Sequence, residues 1–159
     1  MSLYLTFIVG NEYYCIDMVN VVEILSTNRI IPIHQQEKYV KGFINFSDKM
    51  VPIIDLRTRF LKEIGNYDDK TCVIIAKKEK IMVGLIVDKI DDIMPISKSL
   101  VDNSFRLCCK NCQCAESTLQ IGERRIKLVH CKMLLTEKEW MEIELLFENA
   151  RFYYSKASQ

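Results

Sequence analysis

The chain is predicted to be mostly β, built as small barrels or a sandwich, with one long helix at its C-terminal end. Three observations predict this. Short apolar runs recur along most of its length. Turn formers separate them, at Gly10-Asn11-Glu12, Ser47-Asp48-Lys49 and Gly122-Glu123-Arg124. A sustained helical period appears only from Thr136 onward.

In order, Leu3 to Val9 is a compact apolar strand, and Tyr13 to Ile16 begins the next. Asp17 then precedes Met18, Val21, Val22 and Leu25, whose spacing fits one face of a short helix capped by Asp17. The three valines argue against helix, because β-branching costs rotamer freedom there. Ile30 to Ile33 is a short strand interrupted by Pro32, and His34 to Tyr39 is a polar loop or single helical turn.

The centre of the chain is Val40 to Leu61. Gly42 to Phe46 and Met50 to Ile54 are two strands around a tight turn. Pro52 cannot donate to a ladder and is expected at an edge or strand start. Asp55 is placed to cap the turn that follows, with Arg57 as its partner or as a donor to a nearby carbonyl. Thr58 to Ile64 reads as a surface turn, and Gly65 to Lys70 as a linker. Thr71 to Ala76 and Ile81 to Val87 are strands, with Asp88 to Ile93 continuing beyond a polar break. Ser97 to Arg106 reads as irregular, and Ile121 to Cys131 as a last hairpin. Thr136 with Glu139 makes a capping box for the terminal helix, whose stripe of Trp140, Ile143, Phe147 and Tyr154 reads as core-facing.

Composition sets the class. With 159 residues the chain makes one domain or two small lobes sharing a core. At 49% hydrophobic with 5 Gly and 3 Pro it is globular rather than disordered. A net charge of +1 gives no general pull toward nucleic acid or an anionic membrane. No run of about 18 apolar residues occurs, so no spanning helix is expected. The opening MSLYLTFIVGNEYY lacks a basic segment and a cleavage site, so the expected location is the cytoplasm. Seven cysteines without an export signal read as reduced thiols.

Three signatures resemble the CheW family, the adaptor proteins of bacterial chemotaxis. Gly42, Asn45, Val51, Pro52, Asp55, Leu56 and Arg57 match its central motif. Tyr14-Cys15-Ile16-Asp17 followed by Val21-Val22-Glu23-Ile24 resembles its Tyr-Gly-Ile-Asp and Val-x-Glu-Ile pattern, which implies a short helix crossing between strands. Val83-Gly84-Leu85-Ile86-Val87-Asp88-Lys89-Ile90 resembles its hydrophobic-Gly-hydrophobic-hydrophobic-Val-Asp-x-Val signature. The chain departs from the family at Cys15, where a glycine is usual, and at Ser47-Asp48, where Arg-Gly is usual. It departs again at His130, which stands where an aspartate ends the last strand.

The resemblance implies two small SH3-like five-stranded β barrels packed together over residues 1 to 135. The N-terminal strand joins the second lobe, and residues 136 to 159 form a C-terminal helix and tail. It also implies a non-enzymatic coupling protein that joins the cytoplasmic tips of methyl-accepting chemoreceptors to the regulatory domain of the CheA histidine kinase, within arrays at the inner face of the membrane. Glu23, Ile24, Asn45, Ser47 and Asp48 are the positional matches for a receptor-facing surface. Gly84, Val87, Asp88 and Ile96 mark a second protein-binding surface on the other lobe. No cofactor, nucleic acid or direct membrane insertion is implied.

Two alternatives stand beside this reading. Cys109-x2-Cys112 has the spacing of half a zinc knuckle, which His130 or Cys131 could complete in a divergent zinc-stabilised scaffold. No second Cys-x2-Cys follows, so incidental reduced thiols are preferred. The other alternative is an accessory CheW paralogue that couples weakly. His34, the second histidine, lies in a polar stretch, and no nucleophile elbow or phosphate loop occurs, so catalysis is not expected.

Overall fold

The computed structural model describes residues 1–33, 39–61, 65–107, 116–131 and 134–157. The strands are β1 (Ser2–Val9), β2 (Glu12–Asp17), β3 (Val21–Ser26), β4 (Val40–Phe46) and β5 (Lys49–Asp55). They continue as β6 (Cys72–Lys78), β7 (Ile81–Val87), β8 (Lys89–Ile96), β9 (Glu116–Ile121) and β10 (Arg124–Val129). Among the described residues two α-helices, α1 (Lys98–Leu107) and α2 (Glu137–Ala157), and a π-helical turn at Arg57–Leu61 accompany the strands.

Ten strands among the described residues form two mixed sheets. The first has the order β8-β1-β2-β10-β9 and the second β3-β6-β7-β5-β4. Each contains one parallel pair, β2 with β10 and β5 with β7, among antiparallel neighbours. Alternation along each strand divides the apolar side chains between cores. On β6, Ile74 and Ala76 face a core shared by both sheets, while Val73 and Ile75 face a core that belongs to the second sheet alone. Strands buried on both faces need continuous apolar runs, as Val73 to Ala76 and Val83 to Val87 provide. Gly84 is glycine because a Cβ there would overlap Ile53 and Val73. The first sheet keeps its own core around Tyr4, Cys15, Leu119 and Leu128, with Val101 of α1 packed into it.

The expectation of closed SH3-like barrels is not met: both sheets are open. The end strands β3 and β4 of the second sheet do not pair. The chain that could close them, Ile30 to Ile33, makes a single bridge from Ile31 to Phe43. Pro32, next in line, has no N–H to extend that bridge into a ladder. Gly42 has φ +145°, and a Cβ on it would overlap the Ile31 carbonyl, so the close approach is confined to this point. In the first sheet the end strands β8 and β9 also stay unpaired, and Leu100 and Val101 of α1 pack on the core between them.

Three local expectations change as well. Met18 to Leu25 is not a helix: Asp17 caps only the short 3-10 turn Met18–Asn20, accepting from the Val19 N–H (3.0 Å), and the β-branched Val21-Val22 lead β3. Ser97 to Arg106 is not irregular. The Ser97 carbonyl accepts from the Val101 N–H (3.3 Å) and its hydroxyl from Leu100 (3.4 Å), starting α1. Pro52 lies in an interior strand. It is tolerated because its partner Phe43 directs both backbone groups to Ile31, and the β7 ladder begins only at Ile53.

Helix α2 is anchored by a capping box. The Thr136 hydroxyl accepts from the Glu139 N–H (3.1 Å), and the Glu139 carboxylate accepts from the Thr136 N–H (2.9 Å). The same carboxylate receives both Arg59 guanidinium arms (3.0 Å each) and the Tyr39 hydroxyl (2.7 Å). Ile143 and Phe147 then enter the shared core.

Candidate protein-interaction site

The side chains that build the shared core run past it into solvent. Leu3 follows the face of Leu5 on β1, and Ile93 stands opposite Leu5 on β8. Ile24 on β3 stands opposite Ile74, another shared-core residue. All three remain open, at 55%, 49% and 41% exposure. Val19 and Val22 join them from the turn and the start of β3, and that turn touches both β1 and β6. Apolar side chains of this size, contributed by both sheets at the rim of one core, have the character of a surface that awaits a partner. The strand carrying two of them is an end strand with an unpaired outer edge.

Two of the residues expected to bind are therefore at this rim: Glu23 and Ile24 are exposed on β3. Asn45, Ser47 and Asp48 are exposed too, but on the β4–β5 hairpin at the opposite end of the same sheet. Ser47 (φ +50°) and Asp48 (φ +62°) are both left-handed, the geometry of a two-residue hairpin turn whose second position favours glycine. Sequence reasoning missed Leu3, Val19, Val22 and Ile93. For Leu3 and Ile93 the only signal was an apolar residue continuing a strand's core-facing alternation, which does not reveal where the core ends, and Val19 and Val22 read as part of a helix face that does not form.

The second group has another character. Gly84, Val87 and Ile96 are buried. Asp88 is half-buried at the point where the chain leaves β7 for β8, passing from one sheet to the other. Its carboxylate accepts from the Gly10 N–H (2.6 Å) and pairs with the Arg57 guanidinium, while its N–H donates to the Ile8 carbonyl (2.9 Å). Arg57 thus joins Asp88 rather than Asp55. Asp55 caps the turn as its position suggested, accepting from the Arg57 N–H (2.9 Å) and from the Tyr67 hydroxyl (2.9 Å). Burial, followed by the Asp55 charge, pushes the Tyr67 phenol up, so it stays a donor.

Of the metal candidates, Cys109 and Cys112 lie outside the described residues. Cys131 is packed in the shared core, and burial raises its thiol to about 11. Burial and then the Lys78 charge lower His130 to about 4, and its Nε2 lies 3.3 Å from the Ser117 hydroxyl on β9. Among the described residues no group of three His, Cys, Asp or Glu side chains could hold a metal ion. Burial raises Cys15, which stands where the family has glycine, to about 12, and this leaves it an unreactive core thiol. No described helix is long and apolar enough to cross a membrane.

Comparison with known proteins agrees with this architecture. The family model for the CheW-like domain matches residues 3–139. The chemotaxis protein CheW of Klebsiella aerogenes is 31% identical over 137 residues, covering 86% of this chain and 82% of that protein. A probable chemotaxis protein CheW of Rhizobium etli is 26% identical, over 85% of this chain and 88% of its own length. The crystal structure of the scaffolding protein TtCheW from Thermoanaerobacter tengcongensis superposes with a TM-score of 0.72 at 24% identity, over 87% of this chain and 96% of that one. With two mixed sheets about one shared core and three matched signatures, the chain belongs to the CheW family of non-catalytic chemotaxis adaptors.

Proposed function

We propose that this chain couples the cytoplasmic tips of chemoreceptors to the regulatory domain of a CheA-type histidine kinase, and that the apolar rim is its receptor-facing surface. The observation that carries this reading is the exposure of Val19, Val22 and Ile24 beside Leu3 and Ile93, at the junction of the two sheets. A receptor helix laid along the rim would bury its apolar face there, with Glu23 beside it for a basic or polar contact. The second surface is proposed around the crossing from β7 to β8, where the chain passes from one sheet to the other. Gly84, Val87 and Ile96 would shape it from beneath, and the Asp88–Arg57 pair would hold it against the central motif. Two faces on one rigid body transmit signal by holding receptor and kinase in register, with no turnover. On this reading the chain works within receptor arrays, on the cytoplasmic side of the membrane.

The test is a titration of a receptor-tip fragment and of the kinase regulatory domain against the chain and its Ile24→Asp variant. The charge sits on an exposed position, so the fold should survive. Receptor-tip affinity is expected to fall at least about tenfold, as for an anchor lost from an interface, with kinase affinity unchanged. Unchanged receptor binding would remove the rim from the interface.

A further inference from the structure

Helix α2 forms one wall of a second groove, of about 630 Å³, on the second sheet. Met50 and Pro52 of β5 and Ile81 and Met82 of β7 line the opposite wall, with Trp140, Ile143 and Phe147 beneath. The helix presents Met141 at its mouth, 68% exposed, with Leu145 one turn on. Glu137, Glu144 and Glu148 line the same groove, against a single base, Lys80. None of these carboxylates takes part in an ion pair among the described residues. The family match ends at residue 139, so nearly all of the α2 wall lies outside it.

We propose that this groove docks a basic amphipathic helix of a partner protein, at a site separate from the receptor-facing rim. Volume and lining suit two or three aliphatic anchors spaced i, i+3/i+4, i+7. The acids span from Glu137 to Glu148 along α2, about three helical turns, which sets the length of the matching basic flank. A second copy of this chain is disfavoured as occupant. A two-fold contact through α2 would set the acidic face of Glu142, Glu144 and Glu148 against the same face of the second copy, with Lys80 and Lys138 as the bases lining these surfaces. The inference does not depend on the receptor reading, because the two surfaces share no residue.

Trp140 is the only tryptophan in the chain, so its emission reports directly on this groove. The experiment uses two synthetic helical peptides of about four turns, with one leucine stripe in common, flanked by lysine in one and by glutamate in the other. The lysine peptide is expected to shift Trp140 emission saturably. Its affinity should fall about tenfold or more in Met141→Ser and in the double variant Glu144→Lys, Glu148→Lys, all exposed positions. The glutamate peptide should bind only the charge-reversed chain. The proposal is overturned if neither peptide binds, if both bind the unaltered chain equally, or if the variants leave affinity unchanged. It is also overturned if sedimentation shows a dimer of the chain that charge reversal dissociates.

Discussion

Asp48 holds a backbone conformation that its own Cβ makes costly. Left-handed φ costs an L-residue on the order of 1 kcal/mol, and Ser47 beside it carries the same sign. Asp48→Gly is therefore expected to raise stability by about 1 kcal/mol in urea unfolding, and no gain would mean that the aspartate has a compensating bond. His130 offers a pH-dependent case. Its folded pKa, lowered to about 4, lies below the unfolded value of 6.5. The unfolded chain thus binds a proton that the folded chain refuses between those limits. The contribution of the neutral ring is complete above pH 6.5 and is lost as pH falls toward 4. Relative to His130→Gln, the unaltered chain should lose stability from pH 7 to pH 5, and parallel curves would contradict the desolvation. At this scale the sequence was informative where partners are neighbours. Asp17 and Asp55 cap the backbone that follows them, as the sequence suggested, although Asp17 caps a 3-10 turn and not the expected helix. The Arg57–Asp88 pair was not legible, since 31 residues separate the two and nothing local announces the meeting.

Among the elements, α2 shows how a helix becomes part of a core it does not begin in. Glu139 is at once the reciprocal half of the capping box, the bidentate partner of Arg59 and the acceptor for Tyr39. The Arg59 and Tyr39 bonds fix the first turn against the central segment, and the Trp140 backbone N–H to the Thr136 carbonyl (2.9 Å) closes the turn itself. Pairs of this kind, about four-fifths shielded, are stronger than surface ion pairs and weaker than fully buried ones. Glu139→Ala is expected to cost about 2 kcal/mol, and Glu139→Gln less because it keeps the reach to Thr136. Equal stabilities of the two variants would show that the charge alone matters. Most strands and α2 were legible because their periods are long or sharply alternating, but β9 was not, since the last hairpin was read as starting at Ile121, and Ile30 to Ile33 makes one bridge in place of the expected strand. The 3-10 turn with β3 and the helix α1 were misjudged for opposite reasons. Met18, Val21, Val22 and Leu25 carry an accidental helical spacing that β3 overrides through its ladder with β6. Helix α1 has a weak, polar sequence whose apolar side chains acquire meaning only against the first sheet's core.

The whole molecule is held by its shared core rather than by two closed units. Phe7 and Tyr14 from the first sheet, Ile54 and Leu85 from the second, and Phe147 of α2 belong to one cluster. Each sheet has a small core of its own, but without the other it would expose its shared-core face to water, so unfolding should be a single cooperative event. Trp140 emission and far-ultraviolet circular dichroism are expected to give coincident urea transitions. A separated Trp140 transition would show that α2 detaches first. The closed-barrel expectation failed at this scale because closure depends on whether two distant end strands meet. That was decided by one proline and one bridging residue, Pro32 and Ile31. Apolar alternation counts strands and faces, but it contains no information about edges.

The sheet that begins the chain is finished by its far end, and this sets an order of events during synthesis. The second sheet uses only residues 21 to 87, so its five strands are all available once β7 has left the ribosome. The β1–β2 hairpin is translated first and completed last. The Thr6 hydroxyl waits for the Asp92 N–H, 86 residues later, and Glu12 for Lys127, 115 residues later. At about 5–20 residues per second that is a delay of roughly 4 to 23 seconds, during which Tyr4 and Cys15 lack the Leu119 and Leu128 side chains of their own core. The nascent hairpin therefore keeps one apolar face uncovered, and that face's vulnerability to aggregation ends only when β10 slots in beside β2.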